Sequence, residues 1–267
     1  MSLQADVERA LALDAEARGV FGARWQYLDE TGSTNDLALR AAERGEPEGT
    51  LFIAGAQTAG RGRLGRSWHS PPGAGLYVST ILRRAALAPW ITLAGGVAVA
   101  DGIRRATGLP VQLKWPNDVV AVTGEAFRAR RKVAGILAEA SSGPEGVHHV
   151  VLGFGINLRP SAFPPELDGR AGSLEAELGR EVDGGAVLAA TLASLHRAVE
   201  TIAAHGPAAV LEQWLHFAPS AHGAEIEWDG PDGVRTGVSA GLEQDGALRV
   251  ATAQGVERII SGEVRWR

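Results

Sequence analysis

The chain contains no cysteine, which excludes disulfides, thiolate metal sites and a catalytic thiol. It is almost without lysine. Of its 26 basic residues only Lys114 and Lys132 are lysines, and every other is arginine. A composition so biased towards arginine keeps lysine where a compact ammonium is hard to replace. Both lysines are therefore candidate site residues, with chance survival on the surface as the plain alternative. No uninterrupted apolar run reaches the roughly 18 residues of a membrane span, and the N-terminus lacks a basic-then-apolar signal pattern, so a cytoplasmic location and no membrane partner are expected. The seven histidines show no HExxH or comparable ligand spacing, so no structural zinc is expected. No GxSxG elbow occurs, which argues against a serine hydrolase. A net charge of −5 argues against a nucleic-acid-binding surface.

What is present is an ordinary globular composition: 267 residues, 45% hydrophobic and 21% charged, enough for one large domain and a small one. Helical spacing predicts one short helix over residues 6–18, ending at Gly19. WQYLDE (25–30), TLFIAGA (50–56) and GLYVSTIL (75–82) read as strands. Ser33, Thr34 and Asn35 are N-cap residue types ahead of a helix that closes at Gly45. They could simply cap it, or present a cluster of donors and acceptors to a ligand. Residues 90–108 read as a mostly apolar helix softened by Gly95 and Gly96. In VQLKWPNDVV the proline removes a ladder donor, which sets Asn117 and Asp118 at a strand end or irregular turn. Residues 132–141 and 148–158 are β-rich, and Gly153 and Gly155 in the second suggest close backbone approach. A Pro/Gly-rich stretch, 159–172, could act as a lid. Ser173 caps a short helix, a long helix covers 184–205, and another runs from Pro207 to about Phe217. After Pro219, AEIEWDG, GVRTGVSAGL, ALRVAT and VERIISGEV read as short strands between Gly-containing turns. Strands and helices do not alternate strictly, so an α+β main domain with a mixed sheet is expected over 1–218, followed by a small all-β module over 219–267.

The most unusual stretch is QTAGRGRLGRSW, 57–68, with three glycines and three arginines between Gly60 and Arg66. Arginine forks suit carboxylate and phosphate, and glycine lets a backbone approach a ligand. An anionic ligand is expected here, a basic surface loop being the alternative. Gly60, Gly62 and Gly65 fit GxGxxG after a strand, but SWHSPPGAG follows where a dinucleotide site requires a helix. Gly55 and Gly60 mimic P-loop spacing, yet Arg61 and Gly62 stand where Lys and Ser/Thr belong. Neither phosphate loop fits.

Taken together, GSTN (32–35), QTAGRGRLGRSW (57–68), KWPND (114–118), KVAGIL (132–137), GFGINL (153–158) and GEV (262–264) resemble the biotin–protein ligases, also called biotin–[acetyl-CoA-carboxylase] ligases. The ordered set spans nearly the whole chain, and both lysines fall inside it. Only about 30 residues precede GSTN, so the resemblance is to the short class without an N-terminal DNA-binding domain. Two departures stand out. The segment between Asp118 and Lys132 is longer than usual, predicting an extended hairpin, and the usual charged residues just after Trp214 are missing.

The resemblance implies an α+β catalytic domain with a C-terminal SH3-like barrel. It implies formation of biotinyl-5′-AMP from biotin and ATP with Mg2+, then transfer to a lysine of the biotin carboxyl carrier protein of acetyl-CoA carboxylase; a homodimer is possible. It assigns biotin to Ser33, Thr34, Asn35, Gln57, Arg61, Gly62, Arg63, Lys132, Gly135, Gly153 and Gly155. It assigns ATP and adenylate to Arg63, Arg66, Trp68, Lys114, Asn117 and Asn157. Catalytic roles fall to Lys132, Arg61 and Asp118, and no protein ligand to a metal is implied. A lipoate or octanoyl transferase shares the fold but carries an Arg-Arg-x-x-Gly-Gly type motif and lacks KWPND. A non-catalytic biotin sensor would have no use for the arginines and both lysines.

Overall fold

The computed structural model describes residues 2–123, 129–161, 163–230 and 233–266. Helices α1 (Leu3–Ala12) and α2 (Ala15–Arg18) precede strand β1 (Trp25–Leu28), helix α3 (Thr34–Glu43) and strands β2 (Leu51–Ala54) and β3 (Gly75–Leu82). Helix α4 (Ile91–Thr107) leads to β4 (Val111–Lys114), β5 (Asp118–Thr123), β6 (Ala129–Gly143) and β7 (Gly146–Asn157). Helices α5 (Leu174–Leu178), α6 (Gly184–His205) and α7 (Ala208–Phe217) follow, then β8 (His222–Gly230), β9 (Gly233–Leu242), β10 (Leu248–Thr252), β11 (Gly255–Ile259) and β12 (Val264–Trp266).

Seven strands form one sheet in the order β1-β2-β3-β7-β6-β5-β4. Among the described residues, β1–β2 is the only parallel strand pair of this sheet, so the sheet is mixed as expected. Side chains alternate faces along a strand, and here the two faces carry different duties. Leu51, Ile53, Leu76, Val78, Ile136, Leu152 and Phe154 point into the main core with α4 and α6. On the opposite face Phe52, Ile81 and Val151 lie under Ala38, Ala41 and Ala42 of α3. Further along that second face the register aligns Tyr77, Gly155, Gly135 and Asp118 in one row, and Ser79, Gly153 and Leu137 in the next. Glycine adds no side chain to those rows, so the sheet is hollow there.

The C-terminal strands form a second, antiparallel sheet ordered β11-β10-β9-β8-β12. It is tied to the first sheet's side by two indoles, Trp115 Nε1 donating to Gly246 O and Trp90 Nε1 to Gln244 O, each at 3.0 Å. Ile226, Trp228 and Val250 join the common core.

Several expectations need correction. The helix expected over 6–18 is two helices, because Leu13 is extended and Asp14 takes a left-handed φ of 48°, which Asp tolerates better than most residues. Buried Arg18 caps the carbonyls released at the break, donating to Leu11 O at 2.6 Å and Leu13 O at 3.2 Å. VERIISGEV is not one strand. It divides into β11 and β12, with Gly262 at φ 113° between them, and β12 crosses to pair with β8. Gly95 and Gly96 do not soften α4; a methyl group at Gly95 would come within 2.8 Å of Leu152, so the glycine lets the helix press onto β7. Two segments, Ala85–Thr107 and Gly184–His205, are on average long and apolar enough to cross a membrane, although polar residues interrupt both. Here they pack against each other, with α4 lying between α6 and the sheet. The hairpin expected between Asp118 and Lys132 is seen in its β5 and β6 arms, and its tip, 124–128, lies outside the described residues.

Candidate active site

A cavity of about 490 Å3 opens over the hollow of the sheet, and every candidate residue named from the sequence lines it. Its wall is built from the start of α3, the basic loop, the β4–β5 turn, the glycine rows of β6 and β7, and the 163–171 segment.

One end is uncharged and rich in hydrogen-bonding groups. Ser33 is the extended residue before α3, and its hydroxyl makes no capping bond, so simple capping does not account for it. Gln57 Oε1 instead accepts from Thr34 N at 2.9 Å and lies 3.2 Å from Thr34 Oγ1. Gln57 Nε2 donates to Ser70 Oγ at 2.9 Å. Buried Ser79 lies 2.8 Å from Thr34 Oγ1 and 2.5 Å from Asn35 Oδ1. A side chain at Gly153 would collide with the Asn35 amide, so the bare backbone there makes room for it.

The middle is walled by Trp68. Its indole covers Gly135 and Gly155, where an added methyl would run into the ring. The sequence assigned the glycines and the indole to different ligands; the structure brings them together as one wall. The buried Trp68 Nε1 has no hydrogen-bond partner among the described residues. Lys132 Nζ stands 5.1 Å from the ring centroid and 2.6 Å from Asp118 Oδ1. The lysine is aimed by its own backbone, which exchanges hydrogen bonds with the 163–172 segment: Lys132 N donates to Arg170 O at 2.8 Å, and Gly172 N to Lys132 O at 3.0 Å.

The far end is cationic. Burial lowers the pKa of Lys114, with the charges of Asp118 and Glu263 opposing it. Burial lowers Arg63 too, and Asp118 again opposes. Trp266 of β12 carries Arg130 at 4.0 Å and Lys114 at 5.4 Å from its centroid. Glu263 bonds Arg66 at 2.6 Å and reaches Arg170 at 3.3 Å. Burial would raise the Glu263 carboxyl, but the Arg66 hydrogen bond and the surrounding cations outweigh it and hold it below its usual value. The GEV motif therefore clasps both the basic loop and the 163–172 segment.

Two groups of predicted residues have other partners. Arg61 is held by Asp36 at 2.8 Å and Glu139 at 2.7 Å. Asn117 and Asn157 each commit one amide proton to backbone, donating to Ile136 O at 2.8 Å and Gly172 O at 2.9 Å. Both pin the cavity wall while lining it. Sequence reading missed Ser79, Arg130, Glu139, Arg170 and Trp266. A signal existed for Glu139: it follows Gly135 and Leu137 at the two-residue spacing of one strand face. Trp266 and Arg170 are brought in by tertiary packing, with no local signature.

Comparison with known proteins bears on this geometry. Residues 27–157 match the model of the biotin/lipoate A/B protein ligase family. The bifunctional ligase/repressor BirA of Bacillus subtilis is 34% identical over 250 residues, covering 92% of this chain and 74% of that protein. The chain belongs to the biotin protein ligase family. The biotin–[acetyl-CoA-carboxylase] ligase of Paracoccus denitrificans is 32% identical over 252 residues, covering 89% of this ligase and 98% of that one. The solved structure of the Aquifex aeolicus biotin protein ligase in complex with biotin and ATP superposes with a TM-score of 0.76 at 30% identity, covering 92% of this ligase and 99% of that chain. Both the mixed sheet and the small C-terminal sheet of this ligase therefore fall within a biotin-ligase fold.

Proposed function

We propose that this ligase joins biotin to ATP and passes the biotinyl group to the biotin carboxyl carrier protein. In the first half-reaction a biotin carboxylate oxygen attacks the α-phosphorus of MgATP, giving biotinyl-5′-AMP and releasing pyrophosphate. In the second, the neutral amine of the acceptor lysine attacks the acyl carbon, AMP leaves with the bonding pair, and the amine gives up a proton.

The supporting observation is the polarity of the cavity, uncharged and hydrogen-bonding at Ser33, Thr34, Asn35 and Gln57 but cationic at Lys132, Arg63, Lys114 and Arg66. A neutral ureido ring suits the first end, and a carboxylate meeting a triphosphate suits the second. Two unit anions near 4 Å repel by roughly 4 kcal/mol at an effective dielectric of about 20. Fixed cations must offset that, and we assign Lys132 to bridge the carboxylate and the α-phosphate. Asp118 holds Lys132 in the free protein at 2.6 Å, and the incoming anions would draw the ammonium away from it. That exchange leaves Asp118 free to accept the proton of the attacking lysine. Trp68 is assigned to the adenylate, and Lys114 to the triphosphate.

The test is transfer. The purified chain with MgATP, a carrier-protein domain and biotin should biotinylate one acceptor lysine, read by intact mass and peptide mapping. Lipoate or octanoate used in place of biotin with comparable efficiency would contradict the assignment.

A further inference from the structure

Glu139 lies outside the sequence motifs, yet it connects the basic loop to the uncharged end of the cavity. Its Oε2 accepts from Asn35 Nδ2 at 2.6 Å and from Arg61 Nη2 at 2.7 Å. An ionised carboxylate only accepts hydrogen bonds. The nitrogen of the Asn35 amide must therefore face Glu139, and Oδ1 must face Ser79. Without such a partner the two ends of an amide are nearly interchangeable.

The proton count continues inward. Ser79 has one hydroxyl proton and gives it to Asn35 Oδ1 at 2.5 Å. Its 2.8 Å contact with Thr34 Oγ1 would then set lone pair against lone pair unless Thr34 donates. Thr34 has one proton as well, and the shorter 2.8 Å contact with Ser79 takes it in preference to the 3.2 Å approach to Gln57 Oε1. What Thr34 offers the cavity is lone pairs alone. A ureido ring has two N–H donors, and a pocket that presents acceptors receives them. Gly153 keeps this arrangement in place, because any side chain there would displace the Asn35 amide.

We propose that Glu139 is a positioning residue that sets the donor–acceptor polarity of the biotin end through Asn35, Ser79 and Thr34. This rests on the biotin reading above. Glu139→Gln could donate as well as accept, and would let the Asn35 amide turn over. The expected result is a biotin KM raised about tenfold or more, from the loss of a charge-assisted bond, with kcat and the ATP KM changed less than about threefold.

The decisive variant is the swap. Asn35→Asp alone sets two carboxylates against each other and should also raise the biotin KM. Asn35→Asp combined with Glu139→Gln restores one amide-to-carboxylate bond and keeps an acceptor facing Ser79, so the biotin KM should recover to within about threefold of wild type. If Glu139 acts through Arg61, or only stabilises the fold, the double variant should be no better than Asn35→Asp, and that result would overturn the proposal. The swap remains informative if Glu139→Gln alone folds poorly. Absence of biotin-dependent pyrophosphate exchange in the wild type would overturn the biotin reading and this proposal together. Exchange in the wild type without rescue by the swap would overturn the role of Glu139 alone.

Discussion

Replacing Asp118 with asparagine should separate the two half-reactions. The side chain sits 2.6 Å from Lys132 Nζ, with the carboxylate 17% and the lysine 34% exposed. Asparagine keeps an oxygen in place but removes the charge. The gross attraction at that distance is about 6 kcal/mol at an effective dielectric of about 20. A lysine one-third exposed is screened by water, and desolvation offsets most of the rest, so the net loss of stability should be near 1 kcal/mol. In a chain of this size that lowers Tm by roughly 2–4 °C. Adenylate formation should stay near the wild-type rate, because Lys132 remains free to meet the anions.

Transfer is different. The acceptor lysine has a reference pKa near 10.4, so only about one molecule in 10³ is nucleophilic at neutral pH. Losing a positioned base should slow that step by about 10²–10⁴-fold. A single-turnover experiment reads both steps. Biotinyl-AMP should accumulate to about one equivalent per site, then decay slowly after carrier protein is added. Formation and transfer falling together would mean that Asp118 only holds Lys132, and transfer at the wild-type rate would remove it from the second step.

Other outcomes follow from the same geometry. Lys132→Ala should lower adenylate formation about 10²-fold or more, the effect of losing a charged contact worth about 2.7–4 kcal/mol; pyrophosphate exchange is the assay. Trp68→Ala should raise the KM for ATP more than that for biotin, by the roughly 1–3 kcal/mol of a stacked base. Gly155→Ala should mimic it, because the added methyl displaces the same indole. Burial lowers the pKa of Lys114, so its positive charge is lost at a lower pH than in free lysine. The kcat/KM for ATP should therefore fall on the alkaline side before the ordinary lysine range near 10.4. Lys114→Arg, ionised throughout, should move that fall upward.

Much of this site was legible in the sequence because its parts are local. Gly135, Gly153 and Gly155 are spaced so that paired strands stack them into one hollow, and the scarcity of lysine pointed to Lys114 and Lys132. The long helix 184–205 was bounded correctly because apolar spacing, Asp183 at its start and Gly206 at its end agree. What could not be read was how the cations are shared. Arg61 looks like a ligand-binding residue in sequence, yet two carboxylates from different elements hold it. Nothing near Arg66 announces Glu263, almost two hundred positions away. The break at Asp14 was hidden because apolar spacing continues across it, and only the carbonyl-binding Arg18 explains the turn.

The measurement that tests the account most directly is ATP–pyrophosphate exchange by the purified chain, with biotin, lipoate and octanoate compared side by side. The uncharged, acceptor-lined end beside Lys132 predicts exchange that depends on biotin and is far slower with either fatty acid, which has no ureido ring to place there. Equal exchange with octanoate or lipoate, or none with biotin, would contradict it.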